Sequence, residues 1–420
     1  MTIADLTWSL LDQALEAYAD SPRATQWLRR QKARFGEPVR LVVAGPRGSG
    51  RSTLINAIAG EEIVRSDARG PAWYHIPATR SQPELTLVDA PPIEETGPAE
   101  NVCMEADGVL YLIGHPHNAD LSFPRTLADH PVAREAPVNS LIVLSRADEL
   151  GGGRVDSVVS ARQVARRYRK NAEFTGLCQD IVAVAGLVAS AARTMRDSEF
   201  DMLAALASVP KVELEPLLLS AERFMGEPAR EQLLARFGLF GIRLATTLLR
   251  GGADSRQALA SQLVKRCGLS ELKESITANF TERADVLKAR SALIGLEVVL
   301  RMEPRPAAGA LVAGLERTLA NAHEFQELRL LAALRTGRAS LPPELREEAL
   351  RLIGGYGTSM AARLGVDADE AALRDTAIRA LRLWQEYAEN PVLGAAERRA
   401  ASVVVRSCEA MSTGAAAGGR

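Results

Sequence analysis

Cysteine is scarce. Cys103, Cys178, Cys267 and Cys408 are scattered and form no C-x-x-C pair. That leaves no basis for a disulfide framework or a thiolate metal knuckle and suits reduced, mostly buried thiols. Net charge is scarce as well: 51 basic and 52 acidic residues leave −1, so no basic excess is there to draw a nucleic-acid partner. Nearly all of the basic residues are arginine. No uninterrupted apolar run reaches the ~18 residues that span a bilayer, so any membrane contact is expected to be peripheral. The first ten residues contain Asp5 and no basic run, so no secretory leader is expected; the reduced thiols are what a cytoplasmic setting would lead one to expect. No repeat of fixed period is visible.

What is present is a globular composition, 47% hydrophobic and 25% charged over 420 residues, enough for two or three domains at roughly 100–200 residues each. The stretch 41–54, LVVAGPRGSGRSTL, reads as an apolar strand, a glycine turn and a helix start. Gly45, Gly50, Arg51 and Ser52 fall on the phosphate-loop pattern G-x-x-x-x-G-K-[ST], with arginine in place of lysine. Glycines let such a loop turn its N–H groups inward as an anion nest, and the helix that follows adds the positive end of its dipole. Gly45, Gly48, Ser49, Gly50, Arg51, Ser52 and Thr53 are therefore the candidate phosphate contacts, with the Ser52 hydroxyl offered to Mg²⁺.

Further strands are expected at 71–76, 85–89, 108–113, 139–144 and 180–185, after the first at 39–44. Helices fall between them, clearest at 155–170. That alternation predicts an α/β domain, a mostly parallel sheet with helices on both faces, whose ligands sit at the carboxyl ends of the strands. Asp89 closes one strand, where an aspartate holds Mg²⁺ in phosphate-loop proteins; a capping aspartate is the plainer role. The residues that follow, Ala90-Pro91-Pro92, put a proline where D-x-x-G has its glycine, and proline has no N–H for a γ-phosphate. Ser145-Arg146-Ala147-Asp148 ends another strand and matches [NT]-K-x-D with arginine for lysine. A carboxylate there accepts the N1–H and 2-amino donors of guanine together, a pair that adenine lacks. Asp148 and Arg146 therefore point to GTP or GDP with Mg²⁺, and Gly186 stands where a backbone amide meets the base.

Two helices, 4–19 and 22–35, precede the first strand and need a partner elsewhere, most simply helices from the C-terminal half. Beyond 189 the pattern is wholly helical: 190–208, 212–225, 229–237, 240–250, 255–266 and 270–301, then 307–335, 342–353, 367–389 and 394–411. The helix expected at 270–301 would run about 48 Å at ~1.5 Å per residue, which reads as a stalk or bundle. Pro304 and Pro306 end it.

The phosphate loop with RSTLINA at 51–57, Trp73-Tyr74 and SRADELG at 145–151 resembles the actinobacterial dynamin-like proteins. So do the blocks at 183–187, 236–243, 283–289 and 353–359, so the resemblance covers nearly the whole chain. It implies N-terminal helices at 1–36 that join a helical bundle, and a GTPase domain at 37–275 with its core sheet at 37–189 and a helical extension at 190–275. A bundle at 276–413 and a disordered tail at 414–420 complete the division. It also implies membrane remodelling at the inner face of the plasma membrane, through peripheral lipid contact and pairing with itself or a second dynamin-like protein. Arg47 lies where dynamin relatives place transition-state stabilisers; a solvated loop arginine is the plainer role.

Arg51, Pro92, a short segment before Asp89 and the lack of an evident switch threonine in 66–73 depart from that family, all on the γ-phosphate side. A planar guanidinium does not substitute freely for an ammonium among phosphates. Three functions stand: a GTP-hydrolysing mechanoenzyme, a degenerate partner subunit that binds guanine nucleotide with weak or no hydrolysis, and a phosphate-loop ATPase unrelated to membranes, against which Asp148 speaks. Smaller signals are His115, His117 and Asp120 as a metal set or, more simply, a polar loop; 237–241 as a lipid-inserting or, more simply, a core stretch; 302–306 as a proline-broken tip, the other place for membrane contact but a poor anchor without aromatics or a basic cluster; and the basic run 166–170 as a solvated helix end.

Overall fold

The computed structural model describes residues 2–64, 71–79, 83–94, 106–115, 121–129, 140–150, 152–175, 177–335, 337–339 and 341–413. Cys103, Pro116, His117, Asp120, most of the switch segment and the 414–420 tail lie outside these residues. Six strands form one sheet in the order β2-β3-β1-β4-β5-β6. They are β1 Val39–Ala44, β2 Ala72–Ile76, β3 Leu85–Asp89, β4 Gly108–Ile113, β5 Ser140–Leu144 and β6 Asp180–Ala183. Only β2 runs antiparallel, pairing with β3 at the sheet edge. β4 and β5 are buried along their full length, which is why they read as continuous apolar runs. The central strand β1 pairs with β3 on one side and β4 on the other. The chain therefore changes direction across the sheet at β1, and a crevice opens beyond its carboxyl end.

The helical half departs from sequence expectation at four places. The helix expected at 190–208 divides into Gly186–Arg193 and Asp197–Ser208, and that at 212–225 into Lys211–Leu217 and Ala221–Phe224. The helix expected at 270–301 is broken: Leu269–Asn279 ends at Phe280 (φ −120°, ψ −55°), a short 3₁₀ turn follows, and Ala284–Met302 starts afresh. Phe280 is fully buried beneath the first residue of β4, where a Cβ on Gly108 would lie 2.4 Å from its ring. Docking on the sheet overrides an apolar stripe that runs on through the break. The expected 307–335 helix likewise divides at Ala322 (φ −61°, ψ 123°) into Gly309–Asn321 and His323–Arg335. The first piece packs on the N-terminal helix α1, Ile3–Ala17, and the second on Ala395–Ser412.

Two hydrophobic cores result. The first joins the sheet to the helices up to Phe280. The second unites α1 and α2 (Pro22–Ala33) with the helices beyond residue 284; Leu11, Leu28, Leu296, Phe325, Trp384 and Val404 meet there. A buried polar joint links the two. Asp107, just before β4, pairs with Arg34 at 2.8 Å and accepts Arg40 N–H at 2.9 Å and the Ser291 hydroxyl at 3.0 Å.

Among the described residues, Pro228–Arg250 is long and apolar enough to cross a membrane by length and composition. It is two helices in sequence, because Gly238 (φ 63°, ψ 171°) breaks it. Phe237 and Phe240 are buried in the first core, so the 237–241 stretch is a core turn. Cys178, Cys267 and Cys408 are free and buried.

Candidate nucleotide-binding site

The loop after β1 folds as its glycines require. A Cβ on Gly45 would lie 2.8 Å from Leu112 O and from Ser49 Oγ, and Gly48 and Gly50 take positive φ values of 74° and 90°. Gly50 caps the helix α3, Arg51–Ala59, and supplies no side-chain oxygen. The first N–H groups of α3 are therefore left open. Ser49 is buried, and its hydroxyl has no protein partner. Open helix N–H groups and an orphaned buried hydroxyl fit a phosphate.

Arg51 turns back onto the loop. Its Nη1 donates to Gly45 O at 2.6 Å and to Pro46 O at 3.0 Å, while Nε lies 3.3 Å from Asp89 Oδ1. The other Asp89 oxygen accepts the Ser52 hydroxyl at 2.9 Å. The two expected Mg²⁺ contacts are thus side by side, and Ser52, Asp89 and phosphate oxygens suit a hard cation. A resident guanidinium already shares that carboxylate. Among the described residues no cluster of three His, Cys, Asp or Glu side chains could hold a metal ion, so His115 gains no metal partner from them.

Arg47 sits on the exposed lip of the loop, and its N–H donates to both carboxylate oxygens of Glu94, at 3.0 and 3.3 Å. That hydrogen bond, then one from Glu94's own backbone, then the nearby Arg51 and Arg47 charges hold the Glu94 carboxyl below its ordinary range. Sequence reasoning missed Glu94, since nothing in the local pattern links it to a loop 47 residues away.

On the opposite wall, Ser145 N–H donates to Ile113 O at 3.0 Å, and Arg146 bridges Ala185 across the ends of β5 and β6. Arg146 lays its stem near Gly114 and pairs with Glu149 at 3.1 Å. Asp148 is left with no ion pair among the described residues, and burial pushes its carboxyl above the usual aspartate value. Gly186 opens the helix Gly186–Arg193 and approaches Thr53 and Ser145. The N–H of Ala185 is spent on Cys267 O at 2.8 Å, a contact that the sequence did not signal. Gly268 next to it has φ 86°, and a Cβ there would lie 2.0 Å from Ala183 O.

The two walls enclose a cleft of about 400 Å³. Residues 48–54 line one side; Ser145, Arg146, Asp148, Glu149, Gly186 and Leu187 line the other. Gly48, Ser49, Gly50, Arg51, Ser52, Thr53, Arg146, Asp148 and Gly186 meet there, Gly45 lies behind the loop, Asp89 touches Ser52, and Arg47 stands outside the cleft lining.

Strand order, the glycine loop at the switch of β1 and the appended helical bundle define a phosphate-loop GTPase-type fold. Over an alignment of 485 positions that covers 98% of both chains, the protein is 33% identical to the isoniazid-induced protein IniC of Mycobacterium tuberculosis, in strains CDC 1551 / Oshkosh and ATCC 25618 / H37Rv. The chain belongs to the IniC family. No family model matches it. Among solved structures, the LeoA bacterial dynamin GTPase from ETEC aligns with 95% of this chain and 71% of its own, at 12% identity and a TM-score of 0.29. An oligomerised bacterial dynamin pair, described as sensing and tethering membranes at long range, aligns with 98% of this chain and 73% of its own, at 13% identity and a TM-score of 0.26.

Proposed function

We propose that the protein is a dynamin-like guanine-nucleotide-binding protein that acts in membrane remodelling, hydrolyses GTP weakly or not at all, and pairs with another dynamin-like protein. The observation that carries the nucleotide reading is Asp148, a carboxylate without an ion pair facing a cleft whose other wall is the phosphate loop. A cleft for an adenine nucleotide gains nothing from that carboxylate. Ser52 and Asp89 are the residues that would hold Mg²⁺, whose chemistry is to neutralise phosphate charge.

Weak hydrolysis is supported by three features of the γ side. Arg51 is committed to Asp89 and the loop carbonyls, Pro92 has no N–H to donate, and Glu94 holds the Arg47 amide. A charge-stabilising role for Arg47 belongs to the alternative, an active GTP-hydrolysing mechanoenzyme, which the intact Ser52–Asp89 contact favours. Peripheral lipid contact at the inner face of the plasma membrane is supported by the family resemblance alone. Pairing through the nucleotide face with an active relative, rather than with itself, would give an asymmetric dimer.

Turnover tests the choice. Purified protein should show GTP hydrolysis no faster than Ser52→Asn, alone or with anionic liposomes, while still binding GDP. Robust turnover that Ser52→Asn abolishes would establish the active enzyme instead.

A further inference from the structure

We infer that Glu94 stands in for a terminal phosphate on the lip of the loop and makes the site select a nucleoside diphosphate over the triphosphate. The inference rests on the guanine-nucleotide reading of the cleft.

The cleft lining begins at Gly48 and runs through the first turn of α3. The N–H groups in that span are enough for a diphosphate. One residue earlier, the Arg47 amide is already taken: both Glu94 oxygens accept it, at 3.0 and 3.3 Å. The segment bearing Glu94 is fixed at two points, Ala90 N–H to Val43 O at 3.2 Å and Ile93 N–H to Gly45 O at 3.4 Å, with the rigid Pro91-Pro92 pair between them. Glu94 is thus tied to the loop by backbone as well as side chain.

The charges agree. A carboxylate on a phosphate-loop amide, near the Arg51 and Arg47 guanidinium groups, presents the oxygen pair that a phosphoryl group would present. A third phosphate brought to the same amide meets a negative charge and loses that donor. Arg51, which would otherwise reach outward to it, is held by Asp89 and by two loop carbonyls. A diphosphate asks for none of these contacts to break.

Two measurements test the inference. In titrations with Mg²⁺, the wild-type chain should bind GDP at least tenfold more tightly than the β,γ-imido analogue of GTP. Glu94→Gln and Glu94→Ala should each narrow that ratio at least fivefold, mostly by tighter analogue binding, with GDP affinity within threefold of wild type. An unchanged ratio with intact GDP binding overturns the role of Glu94 alone. Failure of the wild type to bind GDP at all overturns the guanine reading and this inference with it. Independently of nucleotide, the Arg47 backbone amide resonance should move on Glu94→Gln; an unmoved resonance would show that the contact is not made in solution.

Discussion

Asp148 shows how a residue can be costly to the fold and still be placed there by the site. Its burial raises the carboxyl pKa above the ~3.9 of an unfolded aspartate. The ionised form is therefore disfavoured in the folded chain, and this cost is present above the folded pKa and fades as pH falls below it. Asp148→Asn should raise the thermal midpoint at pH 7, with the gain vanishing on acidification. The same variant should lose at least tenfold in preference for GDP over ADP, since charge-assisted hydrogen bonds contribute about 1.5–3 kcal/mol and a tenfold change is about 1.4 kcal/mol. Arg51 gives the complementary residue-scale prediction. A lysine has one nitrogen in place of three and does not reproduce the two-armed hold on Asp89 and the loop carbonyls. Arg51→Lys should raise Mg²⁺-dependent GTP turnover at least tenfold. Unchanged turnover would place the block at Pro92 and Glu94 rather than at Arg51.

At the scale of elements, the buried network of the bundle makes a separable claim. Glu327 on His323–Arg335 accepts Arg363 Nη1 at 2.6 Å and Nη2 at 3.1 Å, and the Ser407 hydroxyl at 2.7 Å; His323 lies 3.4 Å away. Burial pushes this carboxyl up, but the His323 hydrogen bond and the Arg363 charge outweigh it and hold the pKa at about 2. The folded pKa is depressed, so the stabilisation is complete above the unfolded value of ~4.3 and is lost as pH falls from there towards about 2. Urea titrations over that window should show the loss for the wild type. Glu327→Gln should flatten the acid limb and, at pH 7, cost about 3–5 kcal/mol, because the half-buried Arg363 loses its carboxylate and keeps only neutral acceptors such as Thr358 O and Leu352 O.

Elements also show what could be read beforehand. The strands and the phosphate loop were legible because buried parallel strands are short apolar runs and the loop needs glycine at set positions. The split at Gly238 was legible for the same reason: the sequence predicts 229–237 and 240–250 as separate helices. The breaks at 194–196 and 218–220 were not, nor those at Phe280 and Ala322, where the apolar spacing continues and only the packing partner changes. Glu94 on the Arg47 amide, Cys267 O on the Ala185 amide and the antiparallel β2 were hidden for a related reason, since each depends on segments distant in sequence.

For the molecule as a whole, the consequential feature is that residues before the sheet and residues after it share one core, so the bundle closes on the head from both ends of the chain. Asp107 is the polar centre of that closure, held by Arg34 before β1 and Ser291 on Ala284–Met302. Asp107→Ala removes the carboxylate from the buried Arg34 guanidinium, which keeps its bond to Gln31 Oε1 at 3.2 Å, and should cost about 3–5 kcal/mol. Amide exchange should quicken together in α2, at the start of β4 and along Ala284–Met302, rather than in the sheet alone. The most direct test of the central claim is calorimetric titration of the full chain with GDP, GTP and ATP in Mg²⁺, with Asp148→Ala alongside. Guanine-selective binding that the variant loses is the predicted result. Equal binding of ATP, or no binding of any nucleotide, would contradict it.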